Sequence, residues 1–218
     1  MGKPMSAASH PPITLVDYER LFRVIHGVLN FATQDPAKES LFFAVAGAFT
    51  LKRHHKLNSV SPVVGAAGYG LPVPAKAPLL FGQVTGDTLT ADEMHHHCWI
   101  EADGWIIDLS APLFDAHLPS EKKTGALPAC MFQRPVTSPV SLADLGTPGA
   151  SLHRIHERLT TTRLEQFSAT PAFAELVRLC AMWYARSPKK LAPALGLSAP
   201  DGSSRTMTLS PIRLTGAY

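Results

Sequence analysis

The stretch from His95 to Ser110 constrains the fold more than any other part of the chain, because it carries its own turn. Asp103-Gly104 is a dipeptide that readily adopts the positive φ angles of a two-residue type I′ hairpin turn. Counting outward from this turn places Ile100 opposite Ile107. The stretch therefore predicts two antiparallel strands with a fixed register.

Side chains alternate along a strand, so the predicted hairpin has two faces. One face is apolar and consists of Cys98, Ile100, Ala102, Trp105, Ile107 and Leu109. The other face consists of His97, Trp99, Glu101, Ile106, Asp108 and Ser110. His97 and Asp108 are diagonal neighbours on this second face, at a backbone distance of roughly 7–8 Å that their side chains can bridge. The pair predicts a hydrogen bond in which Asp108 orients His97 and leaves the second ring nitrogen free as a base. An ordinary surface hairpin is the alternative.

The hairpin motif, His97-Cys98-Trp99 followed by Ile106-Ile107-Asp108, resembles the His and Asp strands of the transglutaminase-like superfamily of papain-like cysteine enzymes. Within that superfamily the chain is similar to a family of uncharacterised bacterial domains. The likeness covers roughly residues 20–135, and the His and Asp strands are its most specific part. It implies an α+β fold in which a central buried helix packs on an antiparallel sheet. It also implies a catalytic Cys at the start of that helix, before the His in the chain.

Ser40 occupies the position at which the resemblance implies the nucleophilic Cys. The run from Leu41 to Leu51 has no polar face, which predicts a helix surrounded by protein. A serine hydroxyl is a weak nucleophile unless a base removes its proton, so the exchange of Cys for Ser bears directly on activity. Ser40 is a working nucleophile, the remnant of a lost activity, or a substitution introduced to silence the enzyme or trap a substrate. In a fourth interpretation Ser40 only caps the helix, with Asp35-Pro36 as a competing start.

Gln34 lies six residues before Ser40. Papain-like enzymes often carry a Gln at about this distance before the nucleophile, where its amide helps to stabilise the oxyanion. The resemblance therefore implies that Gln34 is an oxyanion donor, together with backbone N–H groups near Ser40. A solvated Gln in a polar loop is the alternative.

These residues support two hypotheses of function. The first is an acyl-transfer enzyme, a hydrolase, deamidase or transamidase that acts on an amide or ester, including one on a protein side chain. In it Ser40 attacks, His97 serves as base and then as acid, and Asp108 orients His97. The second hypothesis is a non-catalytic binding protein that keeps the cleft without the chemistry.

Other features of the sequence narrow the function further. The net charge is only +3, and the short basic run at 52–56 gives no special support for nucleic-acid binding. The consecutive residues His95 to His97 alternate between faces, and His153 with His156 lacks the Glu of a His-Glu-x-x-His helix, so we expect no metal and no cofactor. Three irregularly spaced cysteines and the lack of a charged-then-apolar leader predict a cytoplasmic protein without a membrane partner.

The chain is long enough for one domain, which we expect to span residues 13–188. The catalytic-type core takes up about residues 20–135 and a helical extension about 150–187. Residues 1–12 and 189–218 are rich in Pro and Ser and are predicted as tails. The second tail is either mobile or wraps the surface.

Periodicity predicts the elements that surround the hairpin. Thr14 is a plausible N-cap of an amphipathic helix that runs to about Asn30. Strands are expected at 60–69 and 78–84, because runs of apolar residues there are bounded by Pro and Gly. The extension is predicted as two helices, Leu152 to Phe167 and Ala172 to Ala185.

Overall fold

The computed structural model describes residues 10–136, 141–198 and 204–218. The expected tail at 1–12 therefore lies mostly outside the described residues. In chain order the helices and strands are α1 (Leu15–Ala32), α2 (Ser40–His54), β1 (Val60–Tyr69), β2 (Leu79–Phe81), β3 (Gln83–Thr85), β4 (Thr88–Thr90), β5 (His97–Ala102), β6 (Trp105–Asp108), β7 (Cys130–Pro135), β8 (Ser151–Ile155), α3 (Glu157–Ser168), α4 (Pro171–Trp183), β9 (Ala194–Ser198), β10 (Ser204–Thr208) and β11 (Gly216–Ala217). Short 3₁₀ turns lie at Pro36–Lys38, Ala111–His117, Ser120–Lys122 and Ala143–Gly146.

A sheet of seven strands forms the centre of the molecule, in the order β11-β7-β6-β5-β1-β2, and β8 also pairs with β1. All its pairings are antiparallel except that of β11 with β7. The predicted α+β class is confirmed. The sheet is mixed rather than purely antiparallel, because the last strand joins the edge in the parallel sense.

The hairpin of β5 and β6 has the predicted register, with Ile100 opposite Ile107. Asp103 and Gly104 have φ angles of 48° and 80°, as a type I′ turn requires. The Asp103 carboxylate also accepts hydrogen bonds from the backbone N–H of Ser59 at 2.8 Å. The turn is therefore tied to the residue that precedes β1.

Both faces of the sheet are covered. The apolar face of the hairpin packs against α1, α2 and α4 in one large hydrophobic cluster. The face of Trp99 packs in a second cluster with Tyr69, Phe114 and Phe132. His97 and Asp108 therefore lie in the interior, which makes the surface-hairpin alternative wrong.

Helix α2 lies very close to the hairpin. A Cβ at Gly47 would lie 2.3 Å from Cδ1 of Leu109 and 2.7 Å from Cδ1 of Ile100, so a larger residue here would displace both side chains. The prediction of a helix surrounded by protein holds for most of its length. Within the run from Leu41 to Leu51 the exception is Phe49, with 42% of its surface exposed.

The region after residue 150 differs from the sequence prediction. Residues 151–155 form strand β8 rather than the first turn of a helix, and α3 begins only at Glu157. Pairing with β1 overrides the helical pattern here. Strand β8 can approach β1 closely because Gly65 has no side chain: a Cβ there would lie 2.1 Å from the main-chain oxygen of Arg154. The expected strand at 78–84 is likewise broken into β2 and β3 at Gly82, which has a φ of 144°.

The segment after Pro188 wraps the surface, which is one of the two predicted alternatives. In its described part β9 and β10 pair in the antiparallel sense, and Met207 is buried in the large hydrophobic cluster that contains the helices. Tyr218 stacks on Phe114, with ring centroids 5.8 Å apart. These contacts join the end of the chain to both faces of the sheet.

Candidate active site

The predicted hydrogen bond between His97 and Asp108 is present. Nε2 of His97 lies 2.7 Å from Oδ2 of Asp108, and the two residues are 1% and 0% exposed. Because an ionised carboxylate can only accept, Nε2 carries the proton and Nδ1 is the nitrogen that can take up another. The pair thus has the geometry of a base and its orienting acid.

Asp108 receives hydrogen bonds on both carboxylate oxygens. The hydroxyl of Tyr69 donates to Oδ2 at 2.6 Å, while the backbone N–H and the hydroxyl of Ser110 donate to Oδ1 at 2.9 and 2.7 Å. Complete burial alone would raise the pKa of Asp108, but the adjacent His97 and these hydrogen bonds lower it to about 2. Asp108 therefore remains a carboxylate at neutral pH although it has no contact with solvent.

Ser40 is the first residue of α2, at the N-terminal end of the helix, as predicted. Its hydroxyl hydrogen-bonds with the thiol of Cys98, the residue after His97 on the opposite face of β5. The capping interpretation is wrong, since Glu39 holds the N-cap position and makes no side-chain cap. Asp35-Pro36 opens the separate 3₁₀ turn before α2. Direct approach of the Ser40 hydroxyl to the His97 ring stays a prediction.

Cys98 itself is not suited to act as a nucleophile. Burial raises the pKa of its thiol to about 12, against a smaller lowering by the Ser40 hydroxyl. A thiol that stays protonated at neutral pH is a poor nucleophile. Cys98 is therefore disfavoured as a nucleophile, and attack by the Ser40 hydroxyl stays a prediction.

Aromatic rings cover the imidazole of His97. Phe81 stacks on it with ring centroids 4.1 Å apart and an interplanar angle of 16°. His117 packs edge-on against Phe81 and hydrogen-bonds through Nε2 with the main-chain oxygen of Ala37, at 3.1 Å. This bond ties the 3₁₀ turn after β6 to the 3₁₀ turn that precedes α2.

Gln34 is exposed in the loop after α1, and the structure does not bring its side chain into the bonded His97–Asp108 pair. Its role as an oxyanion donor stays a prediction.

The histidines considered as metal ligands have other contacts. His95 pairs with Asp92 on the surface, and His156 accepts the backbone N–H of Leu159 at the start of α3. His96 bonds through Nδ1 with the main-chain oxygen of Asp92, at 3.0 Å.

Sequence reasoning missed two residues on other strands: Tyr69, which hydrogen-bonds with Asp108, and His153, which hydrogen-bonds with Tyr69. Tyr69 lies at the end of β1, and its hydroxyl also meets Nε2 of His153, on β8, at 3.1 Å. Tyr69 follows the glycine-containing stretch from Gly65 to Gly68, in the strand that the sequence predicts at 60–69. No local pattern in the sequence indicates that this strand lies beside the hairpin.

The comparisons with known proteins place the chain in a family without giving it a function. Residues 14–218 match the family described as "Protein of unknown function (DUF2026)". The chain belongs to this family. A crystal structure described only as a genomics target is 34% identical, has a TM-score of 0.83, and matches 98% of this chain and 100% of its own. No curated protein matches significantly.

Among the described residues, no helix combines the length and the apolar character needed to cross a bilayer. The predicted cytoplasmic location remains a prediction.

Proposed function

We propose that this DUF2026 protein carries an acyl-transfer site in which Ser40 is the nucleophile, His97 the base and Asp108 the orienting acid. The observation that carries the proposal is the buried hydrogen bond between His97 and Asp108, which leaves Nδ1 of His97 free. The order of α2, β1, β5 and β6 is also the order of a transglutaminase-like core, and Ser40 begins the helix in that order. We therefore propose a papain-like or transglutaminase-like core.

The proposed reaction begins when the Ser40 hydroxyl leaves the thiol of Cys98 and approaches Nδ1 of His97. The hydroxyl oxygen attacks the carbonyl carbon of an amide or ester, and Nδ1 of His97 takes the hydroxyl proton. Backbone N–H groups in the first turn of α2, with Gln34, stabilise the oxyanion. The carbon–nitrogen or carbon–oxygen bond then breaks, and the leaving group takes the proton from Nδ1. Water or an amine releases the acyl group from Ser40 by the same route.

A binding protein without catalysis is the second candidate. Two observations favour it: the Ser40 hydroxyl hydrogen-bonds with Cys98, and Phe81 covers the imidazole that would act as the base. In this account the polar network only stabilises the fold. The absence of a thiol at position 40 then marks a loss of chemistry.

A fluorophosphonate probe separates the two candidates, because it reacts with a serine only when a base activates the hydroxyl. We expect a single adduct on the peptide that contains Ser40, and none after His97→Ala. Ser110 serves as an internal control, since its hydroxyl is buried and donates to Asp108. An intact, folded protein without an adduct on Ser40 would favour the binding protein, and an adduct that survives His97→Ala would refute the role of His97.

A further inference from the structure

A chain of hydrogen bonds extends from His97 through Asp108 to a residue in the C-terminal half of the protein. Oδ2 of Asp108 receives both Nε2 of His97, at 2.7 Å, and the hydroxyl of Tyr69, at 2.6 Å. The Tyr69 oxygen in turn lies 3.1 Å from Nε2 of His153. His153 is on β8, which pairs with the same half of β1 that carries Tyr69. Four side chains from four strands thus form one line.

The protons along this line can be arranged in one way. Asp108 is ionised and only accepts, so the single hydroxyl proton of Tyr69 must point to Oδ2. The Tyr69 oxygen is then the acceptor for His153, and Nε2 of His153 must carry a proton. Burial lowers the pKa of His153 to about 3, which keeps the ring neutral with its proton on Nε2. Each bond therefore fixes the direction of the next.

The ring of His153 is held in place by aromatic neighbours. Tyr69 and Trp99 meet it edge-on, with ring centroids 5.2 and 5.0 Å away, and Phe132 lies 5.7 Å away. These ring contacts oppose a rotation that would move Nε2 away from the Tyr69 oxygen. The oxygen of Tyr69 consequently keeps the hydrogen bond that Nε2 of His153 donates to it.

We propose that Tyr69 and His153 are positioning residues of the candidate active site, an inference that rests on the proposed function. His153 directs the Tyr69 hydroxyl to Asp108, and Tyr69 fixes Oδ2 where it receives the Nε2–H of His97. The imidazole is thereby held with Nδ1 available to the nucleophile. Strand β8, which lies outside the part of the chain that resembles known enzymes, thus contributes to the site.

Tyr18 provides a matched control. Its hydroxyl also hydrogen-bonds to Asp108 but meets the main-chain oxygen, and its ring is as fully buried as that of Tyr69. Tyr18→Phe and Tyr69→Phe each remove one buried hydroxyl that hydrogen-bonds with Asp108. Only Tyr69→Phe removes a donor from the carboxylate that His97 uses.

The first test uses Ser40→Cys as the parent, in which the new thiol reports the state of His97 through its rate of reaction with iodoacetamide. Adding Tyr69→Phe should slow the reaction at pH 6 about tenfold, the usual effect of losing one hydrogen bond to a charged group. The dependence of this reaction rate on pH should also differ from that of the parent. Adding Tyr18→Phe should leave the profile as in the parent. Equal profiles for the two phenylalanine variants would overturn the proposal.

The second test reads the protons directly, by ¹⁵N NMR of the native protein with labelled histidines. His153 should be neutral and protonated on Nε2 from pH 5 to pH 8, and Tyr69→Phe should introduce the Nδ1–H form because Nε2 loses its acceptor. The signal of the His97 Nε2 proton should move as well, whereas Tyr18→Phe should leave both signals unchanged. A native His153 protonated on Nδ1 would overturn the proposal.

The two tests separate this inference from the proposed function. A parent Ser40→Cys thiol that reacts no faster than the native cysteines would contradict the proposed function. The inference that Tyr69 and His153 position His97 would then be decided by the histidine spectra: signals of His97 that do not respond to Tyr69→Phe would refute it, and signals that respond would support it.

Discussion

Two His–Asp pairs lie close together in the sequence but in opposite environments. His95 and Asp92 lie 3.2 Å apart on the surface, and their side chains are 54% and 42% exposed. His97 and Asp108 lie 2.7 Å apart, and their side chains are 2% and 1% exposed. The residue types are the same, and His95 precedes His97 by only two positions.

The difference shows what burial adds to a pair of this kind. Water competes for the exposed pair and salt screens it, so the attraction between its two side chains contributes little to stability. The buried pair has no competing water, and donors from Tyr69 and Ser110 hold its carboxylate on both oxygens. A fixed tautomer and an ionised acid follow from this enclosure, and a general base needs both.

The largest difference between the two pairs should appear when the carboxylate charge of each is removed in a separate variant. Asp108→Asn replaces an acceptor of several hydrogen bonds with a group that is half donor, and we expect a loss of about 3 kcal/mol in the free energy of unfolding, as for the loss of buried hydrogen bonds to a charged group. Asp92→Asn should leave the free energy of unfolding unchanged within error. Urea titrations of both variants measure the difference. Equal losses would show that burial does not set the strength of the pair.

Acid should lower the free energy of unfolding through His153, which is joined to the buried pair by Tyr69. His153 has a folded-state pKa of about 3, below its ordinary value of 6.5, so its contribution to stability is complete above about pH 6.5 and is lost as the pH falls toward 3. The unfolded chain binds the extra proton in this window, at up to about 1.4 kcal/mol per pH unit. His153→Phe should flatten the dependence of unfolding free energy on pH between 6 and 4. An unchanged slope would mean that the ring of His153 is not kept neutral by burial.

Chemical modification measures how easily solvent reaches His95 and His97, and we expect this difference to be smaller than those in stability. Diethyl pyrocarbonate acylates neutral imidazoles that solvent can reach, so His95 should react well before His97, as peptide mass spectrometry would show. Phe81→Ala uncovers the stacked face of His97 and should speed its modification several-fold while leaving His95 unchanged. Modification of His97 as early as His95 in the native protein would contradict the closed geometry.

The His97–Asp108 pair could be predicted from sequence because every step was local. Asp103-Gly104 fixed the turn, the turn fixed the register, and alternation placed His97 and Asp108 on one face. The start of α1 was local as well, since the Thr14 hydroxyl accepts the backbone N–H of Asp17 at 3.1 Å. Structure set by neighbours in the chain can be derived from the chain.

The rest of the site depends on pairings between distant segments. Tyr69 and His153 are brought together because β8 pairs with β1, and the apolar spacing of Leu152, Ile155 and Leu159 suits a helix as well as a strand followed by a helix. The aromatic cover over His97 likewise comes from β2 and from the turn after β6. Neither contact has a signature in its own segment.

The most direct test of the central claim is the reactivity of a thiol at the start of α2. In Ser40→Cys the helix N-terminus and the imidazolium of His97 should favour the thiolate and depress its pKa below the free value of about 8.5. We expect iodoacetamide to label this thiol at pH 6 faster than Cys98, Cys130 or Cys180. His97→Ala should slow the labelling, and Asp108→Asn should slow it less. Labelling no faster than that of the three native cysteines, with His97 in place, would contradict the claim that this helix and hairpin form a nucleophile site.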